Sequence, residues 1–87
     1  MLINLKNFMS KLRSIFIKTL NLNDKKFSNS LSIANCEEWD SANHMMLIVE
    51  IEKSFKIRLK NAEIIKMNSY LKIEKMLKKK LNYYEEL

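Results

Sequence analysis

Apolar residues recur every three or four positions along much of the chain, which is the period of one face of an α-helix. Basic side chains lie mostly off this stripe, as on a helix with one buried and one solvated face. We therefore predict a first helix over residues 1–20. Its stripe consists of Leu5, Phe8, Met9, Leu12, Ile15, Phe16 and Leu20.

A basic amphipathic segment of this kind is also compatible with an organelle transit peptide or a helix lying on a membrane surface. A core helix with a solvated basic face is the simpler interpretation.

Residues 21–38 form a polar connection rich in Asn, Asp and Ser. Connections this long are usually functional or disordered. Phe27, Leu31 and Ile33 are spaced to hold the segment against the helices.

A second helix is predicted from Asp40 or Ser41 to about Phe55. The Asp40 carboxylate is a good N-cap because it can accept hydrogen bonds from amides of the first turn. The expected core residues of this helix are Leu47, Ile48, Ile51 and Phe55.

Two shorter helical segments follow. We expect Asn61 to cap a brief turn that runs to about Met67, and Asn68 or Ser69 to cap a last helix. The inward stripe of that last helix is expected to contain Leu71 or Ile73, Met76 or Leu77, Leu81 and Tyr84.

The composition fits one small all-α domain over residues 1–87. The chain has no Gly and no Pro, so hairpins with tight turns are disfavoured. No apolar run approaches the ~18 residues of a membrane span. The single Cys36 excludes an internal disulfide and is typical of a reducing compartment, so we expect a cytoplasmic protein.

The charges are segregated along the chain, although the net charge is +6. Residues 27–52, here called the acidic segment, contain no Lys or Arg and five carboxylates. The rest of the chain is basic. An acidic and a basic surface on one small domain favour oriented docking to partners. The five carboxylates are Glu37, Glu38, Asp40, Glu50 and Glu52.

The sequence Trp39-Asp40-Ser41-Ala42-Asn43-His44 places a serine at the predicted start of the second helix. Capping alone accounts for most Asp-Ser pairs that precede an apolar run. Covalent attachment of a phosphate-linked group is the sharper alternative, since the first turn offers unpaired amides and the positive end of the helix dipole. No catalytic triad and no cluster of metal ligands is visible.

From Asp24 to about Leu81 the chain resembles the acyl carrier protein family, and most closely the subset whose attachment site is Trp-Asp-Ser followed by a His. The matching residues are Trp39-Asp40-Ser41, His44, Leu47-Ile48, Ile51 to Ile57, Glu63-Ile64 and Met67-Asn68-Ser69.

The resemblance implies a small four-helix bundle with a long loop between helices 1 and 2. It also implies that a phosphopantetheinyl transferase attaches 4'-phosphopantetheine to Ser41, with Trp39, Asp40 and His44 around the site. The arm would hold acyl or aminoacyl groups as thioesters for activating and transferring enzymes, as in fatty acid biosynthesis. The chain itself would not be an enzyme.

Ala42, Met46, Val49 and Glu50 are the candidate partner-binding residues. The apolar ones fall on a different face from Leu47 and Ile51, so a docking strip beside Ser41 is one interpretation. The other is that a thin bundle buries most of this helix all round.

Two other functions stay open. One is a basic helical domain that binds nucleic acid or an acidic partner through Lys75 to Lys80. The other is a carrier-like interaction protein that is never modified, which Ala42 favours because the family usually has Leu after the serine. Our first choice is a monomeric carrier that binds neither nucleic acid nor membrane.

Overall fold

Four α-helices and a long connecting segment make up residues 4–81, the part of the chain that the structure, a computed structural model, describes. The prediction of an all-α four-helix bundle with its long loop between the first two helices is confirmed. Among residues 4–81 no β-strand forms, and a single bridge pairs Ser32 with Ser69. The helices are α1 (Leu5–Thr19), α2 (Ser41–Phe55), α3 (Asn61–Lys66) and α4 (Tyr70–Lys80).

Helix α1 is shorter than the 1–20 predicted. It begins at Leu5 because the side chain of Asn4 accepts a hydrogen bond from the amide of Asn7 at 2.8 Å and caps the helix. Residues 1–3 lie outside the described residues. The predicted stripe faces the core: Leu5 and Met9 are half-buried, and the other five side chains are buried.

A cluster of aromatic rings forms the centre of the core. The ring of Phe16 lies 5.2 Å from those of Trp39 and Tyr70, edge to face in both cases, and Phe27 lies 5.0 Å from Tyr70. Such pairs add about 0.5–1.5 kcal/mol each beyond the area they bury. The cluster therefore joins α1, the long loop and α4. Tyr70 was absent from the predicted core.

The long loop is held partly by side chains and partly by its backbone. Phe27 and Leu31 pack against the bundle as predicted, but Ile33 is 42% exposed, so that prediction is wrong. Ile33 begins a short 3₁₀ turn (Ile33–Asn35), and its amide donates to the carbonyl of Asn68 at 3.1 Å. Its backbone anchors the loop while its side chain points away from the core.

Helix α3 is capped differently from our prediction. Asn61 is its first helical residue, and Lys60 is the N-cap. The reason is the carboxylate of Glu63, which reaches back to accept the amide of Lys60 at 2.8 Å. The helix ends at Lys66, one residue before Met67, which is fully buried.

Helix α4 is capped by Ser69, one of the two predicted candidates, whose hydroxyl accepts the amide of Lys72 at 3.2 Å. Of the alternatives for its stripe, Ile73 and Leu77 are fully buried, whereas Leu71 is 54% exposed. Met76 and Leu81 are half-buried, and Tyr84 lies outside the described residues.

None of the helices within residues 4–81 combines the length and the hydrophobicity that crossing a bilayer requires.

Candidate functional site

Ser41 is the first residue of α2 and is exposed to solvent. The predicted N-cap is confirmed: Asp40 Oδ1 accepts the amide of Asn43 at 2.8 Å, and the Asp40 carbonyl accepts the amide of His44 at the same distance. The amide group of the Asn43 side chain donates to the Glu38 carbonyl at 2.7 Å. The serine therefore stands on a first turn whose backbone is fixed from both sides.

The first turn of α2 leaves backbone amides pointing out of the helix. The amides of Ser41 and Ala42 have no carbonyl one turn earlier in the helix, since they belong to its first residues. The positive end of the helix dipole lies at the same place and favours an anion attached there. No Lys or Arg is near in sequence, so this polarity comes from the backbone.

Trp39 and His44 connect the end of the loop to two helices. The indole Nε1–H of Trp39 donates to His44 Nδ1 at 3.0 Å, and His44 Nε2 lies 3.0 Å from the carbonyl oxygen of Ile64 on α3. Because an indole nitrogen only donates, Nδ1 must accept, and Nε2 then carries the hydrogen donated to Ile64. We call this chain of two hydrogen bonds the Trp39–His44–Ile64 link.

The link gives both residues a clearer role than the sequence did. Trp39 is 1% exposed and packs the end of the loop against the bundle. His44 contacts the loop through Trp39 and also binds α3, through a residue 20 positions away in sequence. A hydrogen bond from His44 to a phosphate would require it to give up one of these partners.

The surface of α2 next to Ser41 exposes apolar side chains. Met46 is 53% exposed and Val49 is 44% exposed, and Ala42 is exposed as well. Met45, 51% exposed, extends the same surface and was not among the predicted residues. The interpretation that a thin bundle buries this helix all round is therefore wrong. Glu50, the fourth predicted partner-binding residue, is half-buried.

Some carboxylates of the acidic segment already bind other groups of the protein. Glu38 forms an ion pair with Lys26 at 2.6 Å, and this bond holds the pKa of the Glu38 carboxyl below its usual range. Glu52 accepts the amide of Leu59 at 2.9 Å and so serves the turn after α2. Glu37, in contrast, is exposed. The field around Ser41 is thus weaker than five free charges would produce.

Cys36 is buried five residues before Ser41, at 4% exposure. Burial, and then a contact of 3.5 Å from its Sγ to Glu38, raises the pKa of the thiol. A thiol in this state is a poor nucleophile. Among residues 4–81 no three His, Cys, Asp or Glu side chains are grouped so that they could hold a metal ion.

A comparison with solved structures relates this geometry to a known protein. The chain superimposes on the solution NMR structure of holo acyl carrier protein from Geobacter metallireducens with a TM-score of 0.69 and 25% sequence identity. The match covers 91% of this chain and 95% of that one. The fold is that of an acyl carrier protein. No protein-family model matches the chain, and a search of curated proteins found no match either.

The similarity to a carrier protein tests one of our predictions about function. It supports a carrier role over an enzymatic one, as expected, because the similar structure is a carrier. The sequence also led us to the Trp-Asp-Ser subset and to a modified serine. Membership of that subset and modification of Ser41 stay predictions.

Proposed function

We propose that this chain is an acyl carrier whose Ser41 hydroxyl is esterified by 4'-phosphopantetheine. The observation that supports this most directly is the exposure of Ser41 as the first residue of α2 in an acyl-carrier-protein fold. A serine that served only as a cap would be the N-cap itself, and here Asp40 already has that role. The hydroxyl is thus available for another purpose.

The residues around Ser41 fit such a group. A phosphodiester on its oxygen would lie over the first-turn amides of Ser41 and Ala42 and at the positive end of the α2 dipole. Asp40, engaged as the N-cap, fixes the first turn through its bond to the amide of Asn43. The Trp39–His44–Ile64 link fixes the backbone on which the group is attached. When bound, the arm supplies a terminal thiol that carries acyl or aminoacyl groups as thioesters.

The exposed face of α2 is the surface that we assign to partner enzymes. Ala42, Met45, Met46 and Val49 form an apolar strip that begins beside the attachment point, with Glu50 at its edge. Apolar strips with a polar border are typical of protein docking sites. The partners are a phosphopantetheinyl transferase and the enzymes that load and unload the arm.

The test of attachment is intact mass spectrometry of the purified chain. The protein is incubated with coenzyme A, magnesium and a broad-specificity phosphopantetheinyl transferase. We expect the mass to rise by one phosphopantetheine. Ser41→Ala should abolish the gain, whereas Ser14→Ala, at an exposed serine of α1, should retain it.

Two results would contradict the proposal. One is an unchanged mass for the wild-type chain under conditions that fully modify a known carrier, which would favour an unmodified interaction protein. The other is a mass gain that persists in Ser41→Ala.

The docking surface is tested by the kinetics of the same reaction. Val49→Ser should raise the KM of the transferase for the carrier and leave kcat nearly unchanged, because it weakens binding and leaves the reacting hydroxyl intact. Leu71→Ser is the matched control, since Leu71 is a similarly exposed apolar residue on α4. Equal effects of the two substitutions would remove Val49 from the docking surface.

A further inference from the structure

A groove between α3 and α4 is lined mainly by lysines. It has a volume of about 720 Å³ and an apolar floor that includes Ala62 and Met76. On α4 the lining positions follow the helical period, so they share one face, which lies next to the buried Ile73 and Leu77. The lysines that line it are Lys66, Lys72, Lys75, Lys79 and Lys80.

Within the described residues, Glu63 is the single carboxylate lining this groove. Both of its oxygens already bind Lys80 Nζ, at 2.8 and 2.9 Å, which ties α3 to α4. The remaining four lysines of the groove are exposed and have no ion pair among residues 4–81.

The spacing of the lysines on α4 is unfavourable for the helix itself. Lys72 precedes Lys75 by three residues, and Lys75 precedes Lys79 by four, so like charges are neighbours on the surface. Of these three, Lys72 and Lys75 lie before the last turn, where a positive charge would suit the helix dipole. The stability of α4 therefore does not explain the cluster, and an anionic ligand would relieve the repulsion.

The charged rim and the apolar floor of the groove together indicate which class of ligand it can bind. A flat membrane surface or a nucleic acid backbone would meet the ammonium groups at the rim and leave the apolar floor uncovered. An amphipathic helix with acidic flanks satisfies both parts, since its apolar side covers Met76 and its carboxylates pair with the lysines.

We infer that this groove is a second docking site, which binds an acidic amphipathic helical segment of a partner protein. It lies on α3 and α4, and its charge is opposite to that of the acidic segment around Ser41. A partner could thus be recruited through α4 while the arm remains available at α2. The inference concerns a separate surface, so it does not depend on the modification of Ser41.

The test measures binding of a fluorescein-labelled synthetic peptide to the full chain by fluorescence anisotropy. The peptide is a helix of about 15 residues with Leu on one face and Glu on the flanks, about four turns long. A scrambled peptide of the same composition and a labelled DNA duplex are the comparison ligands.

The groove variant is Lys72→Gln/Lys75→Gln/Lys79→Gln. The matched control, Lys6→Gln/Lys25→Gln/Lys53→Gln, removes the same charge from exposed positions outside the groove. We expect the groove variant to weaken peptide binding by about tenfold or more, and the control variant by less than about threefold because distant charges are screened. Thermal unfolding of both variants verifies that they are folded.

Four results would overturn the inference. The first is no binding of the amphipathic peptide to the wild-type chain. The second is equal weakening by both variants, which would mean a response to net charge alone. The third is equal binding of the scrambled peptide, or tighter binding of the duplex. The fourth is self-association of the wild-type chain that the groove variant abolishes, which would make a second copy the ligand.

Discussion

Replacing His44 by Ala tests how the Trp39–His44–Ile64 link stabilises the fold. The substitution leaves the indole N–H of Trp39, a side chain only 1% exposed, without its acceptor. A buried donor without a partner costs about 1–3 kcal/mol. Loss of the bond to the Ile64 carbonyl costs less free energy, because that oxygen still accepts the amide of Met67 at 3.2 Å.

We therefore expect His44→Ala to lower the free energy of unfolding by about 2 kcal/mol. In a domain of this size 1 kcal/mol corresponds to about 4–8 °C in Tm, so the melting temperature should fall by about 8–16 °C. The assay is urea and thermal unfolding followed by circular dichroism.

Two conservative variants separate the two hydrogen bonds. In His44→Asn an amide oxygen can occupy the position of Nδ1 and accept from Trp39. In His44→Gln an amide nitrogen can occupy the position of Nε2 and donate to Ile64. Because the unsatisfied buried donor is the larger cost, Asn should restore more stability than Gln.

A double-mutant cycle with Trp39→Phe measures the indole bond itself. The substitution removes the donor and keeps an aromatic ring, so His44→Ala should cost about 1 kcal/mol less in that background than in the wild type. Additive effects would refute the reasoning, and so would a Tm of His44→Ala within about 2 °C of the wild type.

Three further predictions concern single side chains. Ala42→Leu, which introduces the residue usual in acyl carrier proteins, should raise kcat/KM for the proposed modification of Ser41 by about threefold or more; an unchanged value would show that the transferase does not contact this position. In the folded apo chain, Cys36 should react with a thiol reagent at pH 8 at least about tenfold more slowly than in denaturant, because its thiol is buried and its pKa is raised. After modification a second, fast thiol should appear, and a fast Cys36 in the apo chain would contradict this expectation. Burial, with the nearby Glu74 carboxylate, raises the pKa of Tyr70 to about 12. The unfolded chain loses this proton first, so the free energy of unfolding should fall as the pH rises from about 10 towards 12. Denaturant unfolding at a series of pH values should show a smaller fall for Tyr70→Phe than for the wild type.

The features that the sequence predicted well are those with a local signal. Helix α2 begins at Ser41 because the Asp40 carboxylate can reach the amide of Asn43, three residues along the same chain. The core faces of α1 and α2 follow from spacing alone. That Ser41 is the first residue of a helix is therefore a short-range property, and so is the spacing of the apolar strip along that helix.

The features that the sequence missed depend on long-range contacts. Nothing in the local pattern indicates that His44 contacts Ile64, or that Tyr70 packs against Phe16 and Phe27. From sequence alone, a tyrosine directly after a capping serine is expected at the surface. Tyr70 is buried because the long loop packs over it. In α3 the error was local: the Lys60 amide donates to the Glu63 carboxylate, so Lys60 is the N-cap and not Asn61.

The loop that leads to Ser41 is long, and closing it has an entropic cost that specific anchors must offset. One anchor is the backbone: the amide of Tyr70 donates to the Leu31 carbonyl at 2.9 Å, beside the Ser32–Ser69 bridge. Another is the ring cluster, in which Trp39 and Tyr70 both pack on Phe16. Both anchors depend on the first residues of α4, almost 30 positions after the serine. The location of Ser41 in the fold thus depends on the whole bundle. A substitution at the start of α4 should make the candidate site more mobile, although it changes no residue of that site.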